Sequence, residues 1–197
     1  MFAGRREAVL AGTAFALSGL SADAAWADGV REIDGTELPP IWPADGLALR
    51  LNGAAVRTYS IFRVRIYMAA LYLEQPSRDA ETILRSDTAK LLLIRFLHDV
   101  SAERSRDAWV RGFEQNCRAP CHLSDDILSR FLASMPDFRR GDQSTLLFAG
   151  RSVQITVNAR VMGTIDDAGF ARAMLANFIG PYPPSETFKL ALLGQRD

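Results

Sequence analysis

The sequence predicts an α+β domain in which helices cover one face of an antiparallel sheet. Three observations carry this prediction: a long alternating run over Leu51–Glu74, three short strand patterns in succession between Gln143 and Ile165, and amphipathic helical patterns placed before and after them. At 197 residues with 48% hydrophobic content, the chain fits one domain with a sizeable core.

The N-terminus reads as an export signal. Arg5-Arg6 precede an apolar run over Ala8–Leu20, and Ala25-Trp26-Ala27 frames a cleavage site before Asp28. The run falls short of the about 20 residues a membrane span needs, so residues 1–27 are expected to be a cleaved signal peptide rather than an anchor. Paired arginines suit both the twin-arginine and the general secretory route. A periplasmic or secreted mature chain follows as the expectation. Residues 28–46 read as an extended arm, because Pro39, Pro40 and Pro43 oppose regular structure. The folded domain is then expected over residues 47–197, starting with a strand at Leu47–Leu51.

Over Leu51–Glu74, period two separates Val56, Thr58, Phe62, Val64, Ile66 and Met68 from Arg57, Tyr59, Arg63, Arg65 and Tyr67. The first set is expected to pack against helices, the second to be wet or to line a ligand site. No Gly or Pro between Ala54 and Gln75 marks a turn, so the segment reads as one strand, which places Arg57 and Tyr67 about 33 Å apart unless the chain bends or bulges. A short helical turn is expected at Asp79–Arg85. The nearly continuous apolar run Ala89–His98 predicts a central strand covered on both sides.

From Glu103 to Asn116 the spacing turns helical, with Ala108, Trp109, Gly112, Phe113 and Asn116 on one face and Ser101 as N-cap. Gly112 is expected to let this helix approach the sheet. A second helix is expected over Ser124–Ser134. Arg140-Gly141-Asp142 marks a turn into strands at Gln143–Ala149, Ser152–Val157 and Val161–Ile165. Asp167–Phe178 reads as a helix stopped by Gly180-Pro181, and Ser185 caps a last one.

Equal numbers of basic and acidic residues, 23 each with no like-charge run, leave nucleic acid nothing to grip. Cys117 and Cys121 are a disulfide candidate in an oxidising compartment, with Pro120 breaking the helix between them; the alternative is two independent small hydrophobes. Two His residues do not furnish a zinc site, and the Cys spacing is one too long for a redox motif. His98-Asp99 makes a poor base and orienter, because adjacent strand residues point to opposite faces. No phosphate loop, dinucleotide fingerprint or nucleophile elbow occurs, so neither metal nor cofactor is expected.

Gly53-Ala54-Ala55-Val56-Arg57, the strand end Ala69–Glu74, Ser105–Trp109, Phe113–Cys117, Arg140-Gly141-Asp142 and Ala176–Gly180 together resemble the chalcone isomerase family, nearest its bacterial chalcone isomerase-like branch. The resemblance spans nearly the whole mature chain and implies an open-faced sandwich with a ligand cleft between sheet and helices. It places Arg57 where plant isomerases steer the reacting phenolate and where fatty-acid-binding relatives hold a carboxylate. A guanidinium suits that task because its planar fork matches two carboxylate oxygens. The bland alternative is a solvated Arg beside Arg63 and Arg65.

By the same resemblance Tyr67 stands where catalytic isomerases carry Thr and fatty-acid-binding relatives carry Tyr. Asn177 corresponds to a Ser/Thr of the isomerase cleft. The catalytic Tyr has no counterpart in Cys117–Asp126, a loss expected to cost a hundredfold or more in rate. Arg95, inside an apolar run, is either a further anion contact or a chain that snorkels to solvent. Phe113 and Phe178 are expected to line the cleft.

The leading expectation is therefore an exported, non-catalytic binder of a small amphipathic organic acid such as a fatty acid. An intramolecular lyase that closes an enone substrate by conjugate addition is the enzymatic alternative. A structural or partner-binding envelope protein is the third.

Overall fold

The computed structural model describes residues 31–44, 46–59 and 62–195; the expected signal peptide, residues 1–27, lies outside the described residues. The described chain opens with a small hairpin, β1 (Arg31–Ile33) against β2 (Thr36–Leu38), turning at Asp34-Gly35 with φ of 55° and 72°. Asp-Gly with both residues left-handed is the pairing a tight hairpin favours.

Seven strands then pair in strict chain order, each antiparallel to the next, among the described residues. They are β3 (Ile41–Ala44), β4 (Leu47–Tyr59), β5 (Val64–Leu73), β6 (Lys90–Phe96), β7 (Gln143–Ala149), β8 (Ser152–Val157) and β9 (Arg160–Asp166). Helix α1 (Ala80–Arg85) joins β5 to β6, α2 (Ala102–Asn116) and α3 (Asp125–Ala133) join β6 to β7, and α4 (Ala168–Ile179) and α5 (Glu186–Leu192) close the chain. The expected N-caps form: Ser101 Oγ accepts from the Arg104 N–H at 3.3 Å, and Ser185 Oγ accepts from the Phe188 N–H at 3.1 Å.

Two expectations need correction. Order begins before Leu47, because β3 is an edge strand of the main sheet; Pro43 fits there since an edge position tolerates a missing N–H. More consequentially, Leu51–Glu74 is a hairpin and not one strand. The chain reverses between Tyr59 and Val64, which pair directly, and Arg63 takes the left-handed conformation at φ 50° that a glycine would ordinarily supply.

The sheet buries both faces unequally. Ala55, Ala69, Leu71, Leu92, Ile94 and Phe96 face the helices in the main core. Leu49, Ala54, Met68, Ala70, Tyr72 and Leu93 form a smaller cluster on the other face, over which lie Leu38 of β2 and Trp42 of β3, the indole 5.5 Å from the Tyr72 ring. Helices thus occupy one face, as expected, but the Arg57/Tyr67 parity faces them and the Val56/Met68 parity does not. Helix α4 is buried around most of its circumference, including Phe170, Met174, Leu175 and Phe178.

A β-bulge at Leu51/Gly53 seats the C-terminal helix. Asn52 Nδ2 donates to the Leu192 carbonyl at 2.9 Å while its Oδ1 accepts from the Ser77 N–H at 2.8 Å. A Cβ on Gly53 would stand 2.1 Å from the Ala191 carbonyl oxygen and 2.6 Å from that of Leu192. Because the obstacle is backbone, Gly53→Ala is expected to lower stability by about 1–3 kcal/mol through overpacking. Urea titration should show an earlier midpoint at an unchanged slope.

Candidate ligand-binding site

The hairpin register decides the site. Arg57 and Tyr67 are directly paired residues of β4 and β5, so their side chains share the helix-facing surface and start about 5 Å apart. The separation expected from a single strand disappears. A second irregularity between Arg57 and Thr58 lies immediately beyond this pair, toward the turn.

Tyr67 is held by rings at its flanks: Phe96 of β6 and Phe188 of α5 both meet it edge-on, with centroids at 6.2 and 6.1 Å. Burial raises its phenol above the ordinary value, while the neighbouring Arg57 charge and a hydrogen bond from Arg57 pull it partly back. The phenol accordingly stays protonated at physiological pH and remains a donor.

Arg57 and Tyr67 open into a cleft of about 600 Å³ between the sheet and the helices. Its apolar wall includes Ile94, Phe96, Trp109, Met135, Phe138 and Phe178. Trp109 is fixed by Phe113, Phe131 and Phe178, at centroid distances of 5.6, 5.2 and 5.7 Å. Phe96 and Phe138 stack at 4.0 Å. Polar groups concentrate elsewhere on the wall, with Arg104 and Asp107 from α2 and His98 and Asp99 from the segment after β6. Asp99 is already engaged: the Arg140 N–H at 2.8 Å and the Arg139 guanidinium at 3.2 Å hold its carboxyl below the usual range.

Asn177 enters this cleft from α4. Its Oδ1 accepts from Asn116 Nδ2 at 3.3 Å, but its own Nδ2 is buried without a partner. Asn116 is the tie between α2 and the chain after α4: its Nδ2 also donates to the Tyr182 carbonyl at 3.0 Å, and its Oδ1 accepts the Tyr182 N–H at 3.1 Å. Gly112 serves this contact, and not an approach to the sheet as expected, since a Cβ there would lie 2.8 Å from Asn177 Cγ. Cys117 and Cys121 are joined across the turn that follows, with Cα atoms 5.0 Å apart. Arg118 within that turn lies 4.5 Å over the Tyr182 ring.

Two expected site residues lie elsewhere. Phe113 is buried behind Trp109 against Phe131 and Phe170, one helical turn farther along α2. Arg95 pairs with Met68, so strand alternation puts it on the sheet face opposite the cleft, where it is half-buried. Trp109, Phe96, Phe138 and Asn116 belong to the site or its frame without having been singled out as such. The signal for Trp109 was its place beside Gly112 on one helical face.

The geometry can be set beside known proteins. A model of chalcone isomerase-like proteins matches residues 30–194. The chain belongs to the chalcone isomerase-like family. A solved structure of an Arabidopsis thaliana fatty-acid binding protein superposes with a TM-score of 0.70, covering 84% of this chain and 95% of that one at 14% identity. The shared chalcone isomerase-like fold is what this likeness shows. No curated protein sequence matches the chain.

Two measurements follow. Replacing Arg57 by Gln removes the influence that lowers the Tyr67 phenol, so its titration, followed by NMR at the ring Cζ, should move further upward. In the wild type the unfolded chain loses this proton first, near 10.0, so stability should fall as pH rises from there through the folded-state value. Gly112→Ala should displace Asn177 and destabilise the fold by about 1–3 kcal/mol, read as a lower denaturation midpoint.

Proposed function

We propose that this chalcone isomerase-like protein, a member of the family's bacterial branch, is exported and holds an amphipathic organic acid, a fatty acid in the simplest case, without transforming it. One observation carries the reading: Arg57 and a phenol that stays protonated stand side by side at an apolar cleft. The guanidinium fork takes both carboxylate oxygens, and Tyr67 offers a third donor. The chain of the acid lies along the aromatic and aliphatic wall. The cleft volume falls in the range of small-molecule sites, about 300–1,000 Å³.

The named activity of the Arabidopsis structure supports the choice of ligand, and Arg5-Arg6 with the apolar run behind it supports export. The absence of Tyr from Cys117–Asp126 speaks for holding over cyclisation, because the developing enolate would lack that stabiliser. Asn177 also lines the cleft and serves in this reading as a further polar contact for the ligand.

Charge-assisted hydrogen bonds contribute about 1.5–3 kcal/mol, so Arg57→Ala should weaken binding of a long-chain acid by about 10–100-fold. Arg57→Lys should fall between, since an ammonium lacks the fork. Tyr67→Phe should cost about tenfold, the lower end for one hydrogen bond to a charged acceptor. Native mass spectrometry of the purified protein should find a bound acid, and isothermal titration should rank the variants. Unbound protein, together with unchanged affinity in Arg57→Ala, contradicts the reading.

A further inference from the structure

The β4–β5 hairpin that forms one wall of the cleft has an unusual composition. Residues 46–73 contain four Arg and no Lys, Asp or Glu. Where the chain reverses, Phe62 is 82% exposed, Tyr59 66% and Val64 39%, and the exposed Arg63 and Arg65 alternate with them. Single exposed apolar residues are ordinary, but three clustered at one tip among arginines make a mixed aromatic and cationic surface. Arg65 meets Asp34 of the N-terminal hairpin, whereas Arg63 makes no ion pair among the described residues. Tyr59 belongs to both the tip and the cleft wall, so the two surfaces are continuous.

We propose that this tip docks on an anionic phospholipid bilayer. Phe62 and Val64 enter the acyl boundary, Tyr59 sits at headgroup level as amphipathic rings do, and Arg63 meets lipid phosphates. A bilayer fits better than a protein partner because exposed aromatic and aliphatic side chains stand beside Arg63, a cation with no ion pair among the described residues, which is the pairing that suits a headgroup region. Docking stands on the hairpin alone. Its consequence, that the cleft mouth opens toward the membrane so that an acid can pass between them, rests on the acid-binding reading.

Flotation of the full chain with vesicles tests it. Vesicles of phosphatidylcholine with phosphatidylglycerol should carry the protein and pure phosphatidylcholine should carry far less, with binding falling as salt rises from 50 to 500 mM, about the range over which the Debye length drops severalfold. The double variant Phe62→Ser, Arg63→Asn should lower partitioning at least tenfold; Asn tolerates the left-handed backbone at that position. Its circular dichroism and its affinity for a long-chain acid in vesicle-free solution should match the wild type, which separates docking from the acid-binding reading. No flotation on anionic vesicles overturns the proposal and turns the tip toward a protein partner. Equal flotation of both proteins also overturns it, assigning membrane contact to residues shared by the two, such as 1–30.

Discussion

The reversal of the chain between Tyr59 and Val64, together with the register it sets, is the constraint on which the cleft depends. Antiparallel pairing makes Arg57 and Tyr67 neighbours although they are ten residues apart in sequence. A slip of one residue would move either side chain to the opposite face and separate them across the sheet. Bulges at Leu51/Gly53 and Arg57/Thr58 bracket the pair and pin that register, the first also seating α5, whose Phe188 then packs against the Tyr67 ring. The roof follows the same logic from the other side. Gly112 admits Asn177, and Asn116 ties α2 to the chain beyond α4, so the space above Arg57 is bounded by elements that cannot shift independently.

In the proposed reading, the electrostatics of the cleft suit holding an acid. A guanidinium at an apolar cleft is costly unless a partner arrives, and a carboxylate is the partner that repairs most of that cost. The Tyr67 phenol, pushed up by burial, supplies a proton to share and is poorly suited to accept one. Asp99 and His98 line the same space, yet Asp99 is committed to Arg139 and Arg140 at the turn into β7. The cleft therefore pairs the Arg57 and Tyr67 donors with a hydrocarbon and aromatic wall, while Arg104, Asp107, His98 and Asp99 make up a polar part of its lining.

Much of the architecture was legible in the sequence because its signals were local. Ser101 and Ser185 cap the helices they were expected to cap, and the β7–β9 meander falls within a residue of its predicted limits. The β4–β5 turn was hidden because no Gly, Pro or Asn advertises it; a non-glycine residue, Arg63, adopts the left-handed conformation instead. The alternation of Arg57 and Tyr67 was read correctly as one face, but which face met the helices depends on packing that period two does not encode. The same limit explains Arg95, whose parity follows from its pairing with Met68, and Phe113, whose rotation on α2 is set by Phe131 and Phe170. Tertiary ties such as Asn116 to Tyr182 link residues 66 positions apart and leave no mark on either segment alone.

The most direct test of the Arg57–Tyr67 site is the ionisation of the bound ligand itself. A long-chain acid labelled with ¹³C at its carboxyl carbon, titrated with acid while bound to the wild-type protein, reports by its NMR shift whether the carboxylate lies against a cation. The account predicts a single bound resonance that stays ionised well below the about pH 4–5 expected for an unperturbed carboxyl, because a neighbouring guanidinium depresses such a pKa by about 1–3 units. A bound resonance that protonates at or above the value for the free acid would contradict it.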